Sequence, residues 1–438
     1  MLPNSKPSKI IVISDLHIGG DPDIEDFKCT NEFIEFIDYL LKNEQQYNLE
    51  LIINGDFLDL WKCQEEKDEK IKIIINKNKN LFNKLKEFGA KHKITLIPGN
   101  HDHEILYNKK FQEELEEYNI HIDPSQFFKR EFLIKNKKFT AIGEHGNQVE
   151  PASSFSDFYL PTDSSLSYHV SMLFTYKVMR LGIKKKRPHW VQEIDNIDTD
   201  LLPYWFLSKY FYNEIGPILK SFLVPMLILF SLALPYFIFD IVTDYYQPKF
   251  LLSVLNFLDT NLLMKGLVFI LYFDMVIVIL LLFVSLLRKD FQKRLREYGI
   301  QSLSEILISK QRSYEEKAHE VLDGKNPYNK KADLYITGHT HAAELHKQEN
   351  HIFADTGSWK QLTKRIPGYF RLPSIFYPYY LLSYLVVYEQ PDNITVELRA
   401  WPKSYTPNLT ILEKIFIKRR KYVPLPVLED TLLKSYSC

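Results

Sequence analysis

The stretch "SKIIVISDLHIGG" (Ser8–Gly20) decides how this 438-residue chain is read. A short, unbroken apolar run, "KIIVIS" (Lys9–Ser14), stops at Asp15 and His17. Apolar runs without alternation belong to strands buried on both faces. Residues i and i+2 of an extended chain leave on the same side, so Asp15 and His17 can reach one centre. The arrangement recurs. "LELIIN" (Leu49–Asn54) leads into "NGDFLD", with Asp56 and Asp59, and "KITLIP" (Lys93–Pro98) leads into "PGNHDH", with Asn100, His101 and Asp102. Between the runs, Asn31–Gln45 carries Phe33, Phe36, Ile37, Leu40 and Leu41 on one helical face, and Leu81, Leu85 and Phe88 repeat that pattern. The alternation β-α-β-α-β predicts a layered α/β domain whose polar ligands converge at the carboxyl ends of parallel strands.

The pattern continues downstream. "REFLIKNKKFTAIGEHG" predicts a hairpin turning at Asn136–Lys137 and delivering His145. After a long gap, "ADLYITGHTH" delivers His339 and His341, "HIFADTGSW" follows, and "YLLSYLVVYE" and "NITVELRAW" pair around Pro391–Asp392. Gly55, Gly99 and Gly338 beside the ligands permit tight turns and close backbone approach. Carboxylate, imidazole and amide ligands without thiolate suit Mn²⁺, Fe²⁺ or Zn²⁺. Seven candidate ligands exceed what one ion needs, whereas two ions sharing a carboxylate use them. Asp15 and Asp56 return only part of the charge of two divalent ions, and the remaining positive charge attracts phosphate. His92, His103, His121, His169, His189, His319, His346 and His351 fit no such element.

Taken in order, D-x-H, G-D, G-N-H-D, a lone His and G-H-x-H, this set resembles the calcineurin-like metallophosphoesterase superfamily. The resemblance covers roughly Lys9–Gly146 and Ala332–Trp401. It implies a four-layer αββα sandwich. It also implies that Asp15, His17 and His341 hold one metal, that Asn100, His145 and His339 hold the other, and that Asp56 bridges them. His101 is then the catalytic residue that binds phosphate and protonates the leaving oxygen, with Asp102 orienting it. Asp59 is expected to support the site from behind. Mn²⁺ is the expected metal. The UDP-diacylglucosamine pyrophosphatase branch is similar in motif order and carries a helical lid in the same slot. That branch has Arg where this chain has His101, which puts identity with it in doubt.

Three segments are therefore expected: 1–150 and 331–438 as two parts of one metallophosphoesterase domain, and 151–330 as a helical, membrane-spanning insert. Within the insert, Phe222–Phe239 is 18 residues without a charge, and Leu267–Leu287 is 21 residues with only Asp274. About 20 apolar residues cross a hydrocarbon core, so transmembrane helices are expected at about 222–242 and 267–287. Arg288, Lys289, Lys293, Arg294 and Arg296 follow the second run, Lys209 and Lys220 precede the first, and the loop between holds only Lys249 and Lys265. The positive-inside rule then puts both outer ends, and the catalytic domain, in the cytoplasm. Asp274 is expected to pack against the partner helix, and "KKKR" (Lys184–Arg187) to face solvent or lipid headgroups.

Composition narrows the function further. Lys and Arg number 55, as do Asp and Glu, so no global charge points to nucleic acid. The N-terminus shows no signal-peptide pattern, and Cys29, Cys63 and Cys438 lack metal or redox spacing, so a reduced, cytosol-facing chain is expected. The expected function is a membrane-anchored dinuclear-metal phosphoesterase acting on a phosphate or pyrophosphate ester, lipid-linked, at the cytoplasmic face, with membrane lipid as partner. The alternatives are a tethered phosphomonoesterase or phosphodiesterase for soluble nucleotides or phosphoproteins, and a non-catalytic membrane scaffold.

Overall fold

A computed structural model describes residues 6–21, 25–63, 68–135, 137–150, 152–161, 163–170, 201–214, 332–348, 351–369, 372–418 and 422–438, with isolated positions between 172 and 275. The amino-terminal part alternates β1 (Ser8–Ile13), α1 (Thr30–Asn43), β2 (Asn48–Asn54), α2 (Lys70–Lys77), α3 (Lys79–Gly89), β3 (Lys93–Ile97), α4 (Lys109–Glu116) and β4 (His121–Ile122). β1 to β4 are parallel neighbours, as the sequence pattern predicts. β12 (Leu382–Glu389), β13 (Ile394–Trp401) and β14 (Thr431–Ser437) extend this sheet antiparallel from β1, giving seven strands in the order β14-β13-β12-β1-β2-β3-β4.

A second sheet of five strands runs β5 (Phe127–Ile134), β6 (Lys137–Glu144), β7 (Leu334–Thr337), β9 (His351–Thr356) and β8 (Ala343–Gln348). β6, β7 and β9 are parallel, and the outer pairs are antiparallel, so both sheets are mixed. Ile134 pairs with Lys137, so the β5–β6 turn comes one residue earlier than the sequence predicts, with Lys135 left-handed at φ 48°. A short hairpin, β10 (Leu362–Ile366) and β11 (Ile375–Tyr379), stands apart.

The unbroken apolar runs follow from two-sided burial. In β1, Ile11 and Ile13 pack with the helices while Ile10 and Val12 pack against the second sheet. β2 divides Leu51 and Ile53 from Ile52 in the same way, and β12 divides Tyr384 and Val386 from Leu385 and Val387. From the second sheet, Phe128, Phe132, Leu334, Ile336, Ile352 and Ala354 complete the layer between the sheets. In α1 the buried residues are the expected Phe33, Phe36, Ile37, Leu40 and Leu41. Phe36 meets Tyr384 at 4.9 Å and both Trp359 and Trp401 at 5.2 Å between ring centroids.

The described layers are therefore helix, sheet and sheet; the second helical layer of the expected αββα sandwich is not seen among the described residues. "KKKR" and the expected spans at 222–242 and 267–287 lie outside the described residues, apart from five positions. No helix among the described residues is long and apolar enough to cross a membrane.

Phe36→Ala should destabilise the fold by about 3–5 kcal/mol, the cost of truncating a fully buried aromatic. Leu133→Ala, at a side chain 68% exposed, should shift the denaturation midpoint by well under a third of that change.

Candidate metal centre

Every ligand loop leaves the carboxyl end of a strand, and the loops are tied to one another by backbone hydrogen bonds. Asp15 N donates to Gly55 O at 3.1 Å and His17 N to Asp56 O at 2.9 Å, locking the loops after β1 and β2. Gly338 N donates to His145 O at 2.9 Å, locking those after β6 and β7. Asp15, His17, Asp56, His339 and His341 all sit at φ between 51° and 67°. Five non-glycine residues in that region, all among the candidate ligands, mark backbone strain that the locked loops sustain. Gly99 allows the close packing: a Cβ there would lie 2.3 Å from Asp56 Oδ1 and 2.6 Å from its backbone N.

The side chains gather into two groups meeting at one carboxylate. Asp15, His17 and His341 form one, and Asp56, His145 and His339 the other, each with ligand atoms within 4.8 Å of one another. His17, Asp56 and His101 close within the same distance. Asp56 Oδ1 accepts from His101 N at 2.9 Å, while Oδ2 lies 3.2 Å from His145 Nε2 and 3.7 Å from His17 Nε2. That second oxygen faces both groups. Asp15 divides its oxygens likewise. Oδ2 accepts from Ser14 Oγ and from His339 N at 2.9 Å, and Oδ1 lies 3.2 Å from His341 Nε2.

The donor set fits divalent cations. Asp15 Oδ1, Asn100 Oδ1 and His145 Nε2 are buried and make no hydrogen bond. Orphaned buried polar atoms are costly, and a cation satisfies all three at once. His145 Nδ1 lies 2.9 Å from Asn54 O; with the proton there, Nε2 keeps its lone pair for a metal. Burial, reinforced by the charge of Lys360, pushes His17 and His341 down to about 4, so both are neutral imidazoles ready to coordinate. At His145, Asp56 overcomes the effect of burial and pushes the imidazole up to about 10, a measure of how strongly this spot favours positive charge.

His101 is held differently from the expectation. Its Nδ1 lies 3.1 Å from Asp59 Oδ1, and its ring stacks on Trp61 at 3.7 Å between centroids and 24° between planes. Asp102 does not orient it. The buried Asp102 carboxylate accepts from Gly99 N at 2.6 Å, Phe57 N at 2.8 Å and Leu58 N at 3.2 Å, pinning the loops after β2 and β3 together. Asp102 is thus directed to three main-chain donors, and the carboxylate beside the His101 imidazole is that of Asp59. Burial opposes charge on Asp59, but Lys62 and His101 hold its carboxyl far below the usual range. Asp56 and Asp59 outweigh burial at His101 and raise it.

Three residues outside the motifs also stand at the centre. Glu150 Oε2 lies 2.7 Å from His339 Nε2 and accepts from Ser153 Oγ at 2.9 Å. Trp61, five residues beyond Asp56 of the G-D motif, is buried, with Tyr168 edge-on at 5.3 Å. Lys360 is 7% exposed and its charge acts on His17, His101 and His341. Trp61 and Lys360 lie within quoted motif flanks, but neither residue type announces a ligand there. Nothing in the local sequence singles out Glu150.

The model of one protein family, calcineurin-like phosphoesterase, matches residues 8–196. Together with the ligand set, that match supports a metal-dependent phosphoesterase, a hydrolase; it does not single out the pyrophosphatase branch. No curated protein matches the sequence. Among solved structures, a novel archaeal phosphodiesterase is 20% identical with a TM-score of 0.18, covering 32% of this chain and 59% of its own. A phosphoesterase predicted in Streptococcus pneumoniae is 10% identical with a TM-score of 0.25, covering 92% of this chain and 95% of its own. A candidate 5'-nucleotidase from Staphylococcus aureus is 12% identical with a TM-score of 0.31, covering 97% of this chain and 55% of its own. At these scores the three carry no further argument.

Asp56→Asn should lower the metal content of the purified chain at both positions, because Oδ2 faces both groups. Asn100→Leu should lower it at one. Metal counted per chain after gel filtration checks both; an Asp56→Asn chain that retains two ions would overturn the shared-carboxylate reading.

Proposed function

We propose that the chain is a dinuclear-metal phosphoesterase, anchored in a membrane through its 151–330 insert, that hydrolyses a lipid-linked phosphate or pyrophosphate at the cytoplasmic face. The observation that carries the chemistry is the Asp56 carboxylate, 1% exposed, with one oxygen directed to both histidine groups. In this reading Asp15, His17 and His341 hold one ion and Asn100, His145 and His339 the other. Two divalent ions, Mn²⁺ first and Fe²⁺ or Zn²⁺ next, supply Lewis-acid charge to a phosphoryl group. His101 supplies a proton to the leaving oxygen: with Nδ1 on Asp59 and the ring face on Trp61, its Nε2 is the free edge. Burial of the surrounding carboxylates and imidazoles keeps these charges strong, because little water screens them.

The membrane part rests on the two apolar runs and on the cations from Arg288 to Arg296. Val224, 8% exposed, and Ile228 pack with Phe211, Ile366, Leu372, Ile375 and Phe416, beside the β10–β11 hairpin. Asp274, within the second run, is 6% exposed. An anchor inserted next to the site brings a lipid-linked phosphate within reach. A second reading, hydrolysis of a soluble phosphoester by a tethered enzyme, is favoured by His101, which stands where the pyrophosphatase branch carries Arg.

Metal-loaded chain in detergent should prefer lipid pyrophosphates over nucleotide phosphates by at least about tenfold in kcat/KM; preference for the soluble set overturns the lipid reading and leaves the phosphoesterase standing. Tags near Asn256 and at Cys438 should be accessible from opposite faces of the membrane.

Asp59→Asn should reduce kcat by roughly 10²-fold, the usual scale for general acid–base work. It should also move the alkaline limb of the rate profile to lower pH. The sign follows from the raised pKa of His101: removing a carboxylate that favours imidazolium lets the proton leave earlier as pH rises.

A further inference from the structure

We propose that Glu150 is the positioning residue of the second metal position: it holds His339 from behind, so that the imidazole presents Nδ1 to the ion shared with Asp56 and His145. The inference rests on the dinuclear reading of the centre and adds a residue that the ligand motifs do not contain.

Glu150 Oε2 lies 2.7 Å from His339 Nε2, and the two side chains are 17% and 9% exposed. An ionised carboxylate only accepts hydrogen bonds, so this contact puts the imidazole proton on Nε2 and keeps the Nδ1 lone pair for a cation. His339 brings one ligand atom within 4.8 Å of those of Asp56 and His145, and Glu150 does not belong to that group. The carboxylate therefore stands behind the ligand rather than among the ligands. His145 is held by the same device from another element, with Nδ1 2.9 Å from Asn54 O and Nε2 kept for coordination. A main-chain carbonyl backs one histidine of the group, and a carboxylate backs the other.

The chain around Glu150 is pinned on both sides. Gly146 takes φ 109°, and the turn Asn147–Val149 follows, closed by Val149 N on Gly146 O at 3.1 Å and Glu150 N on Asn147 O at 3.2 Å. Glu150 O accepts from Ser153 N at 3.0 Å and Ser154 N at 2.9 Å, while the buried Asn147 donates from Nδ2 to Ser153 O at 3.2 Å. Ser153 Oγ donates to Glu150 Oε2 at 2.9 Å, fixing the oxygen that meets His339. The same loop carries His145, whose carbonyl accepts from Gly338 N at 2.9 Å. The carboxylate and both imidazoles thus form one connected unit.

Main-chain bonds alone close this turn, so the turn does not require a carboxylate at position 150. The charge matters at the imidazole. A charge-assisted hydrogen bond is the stronger kind, and it fixes the ring orientation while raising the basicity of the coordinating nitrogen. Loss of such a partner commonly costs about tenfold to a hundredfold in metal affinity.

The test uses the full chain in detergent, stripped of metal and titrated with Mn²⁺, with calorimetry and electron paramagnetic resonance as readouts. Glu150→Ala should leave binding of the first ion unchanged and weaken the second by about tenfold to a hundredfold. At limiting Mn²⁺ its spectrum should be that of isolated ions, where the wild-type chain shows a coupled pair. Glu150→Gln keeps an acceptor without the charge and should fall between the two. Ser153→Ala, which removes only the hydroxyl contact, should lose less than Glu150→Ala. Two ions bound by Glu150→Ala with wild-type affinity overturn the proposal and leave the dinuclear reading standing. An equal loss in Ser153→Ala also overturns it, because the turn and not the carboxylate would then set the affinity. If Glu150→Ala fails to fold, the near-isosteric Glu150→Gln carries the test, and unchanged affinity in it is the overturning result. A wild-type chain that never binds a second ion defeats the dinuclear reading itself.

Discussion

Asp56 is the residue on which the rest of the centre depends. A fully buried carboxylate must find polar partners, and imidazoles face its Oδ2 from two directions while Oδ1 is committed to the His101 main chain. Because one oxygen holds the loop after β3, the other cannot turn away. The histidine groups are thus indexed to a single fixed atom rather than to one another. Asp15, His17, Asp56, His339 and His341 all hold left-handed backbone in the loops that carry these ligands.

The sheets make that reversal sustainable. β1, β2 and β3 are buried on both faces, so their ends are fixed by two hydrophobic layers at once, and strain in the ligand loops has nowhere to relax. The main-chain bonds from Asp15 to Gly55 and from His17 to Asp56 then couple neighbouring loops, while Asp102, which carries no ligand role in this arrangement, closes the set by accepting three main-chain donors. A carboxylate in the G-N-H-D motif thereby ties the backbones of neighbouring loops together.

How much of this could be read from sequence depended on the range of the interaction. β1 to β3, the face of α1 and the seven ligand positions are local patterns: an apolar run, a helical repeat, a ligand within two residues of a strand end. The motif order then supplied the grouping. What stayed hidden is set by contacts between distant segments. Asp102 follows His101 directly while Asp59 lies 42 residues before it, and only the fold decides that Asp59 reaches the imidazole while Asp102 points to the main chain. Lys360 and Glu150 are ordinary surface residue types; Glu150 meets His339 across 189 residues of chain, and the segment carrying Lys360 is held by Trp359. β10, β11 and β14 escaped because short, polar-mixed strands such as "LTKRI" and "TLLKSYS" give no clear period.

The position of the insert also has a topological reason. β6 and β7 are parallel neighbours, and parallel strands must be joined by a crossover rather than a tight turn. The chain between them has to leave the sheet and return in any case, so a long helical segment can be placed there without disturbing the register of either strand. Its entry is not neutral towards the site, however. Glu150, held by Ser153 Oγ, reaches His339; Phe155 and Phe158 pack on His103, and Tyr168 stands edge-on to Trp61. The first twenty residues of the insert are therefore a wall of the metal centre. Any force on the insert, from a membrane or from a bound substrate, acts first on the residues that flank His101 and His339.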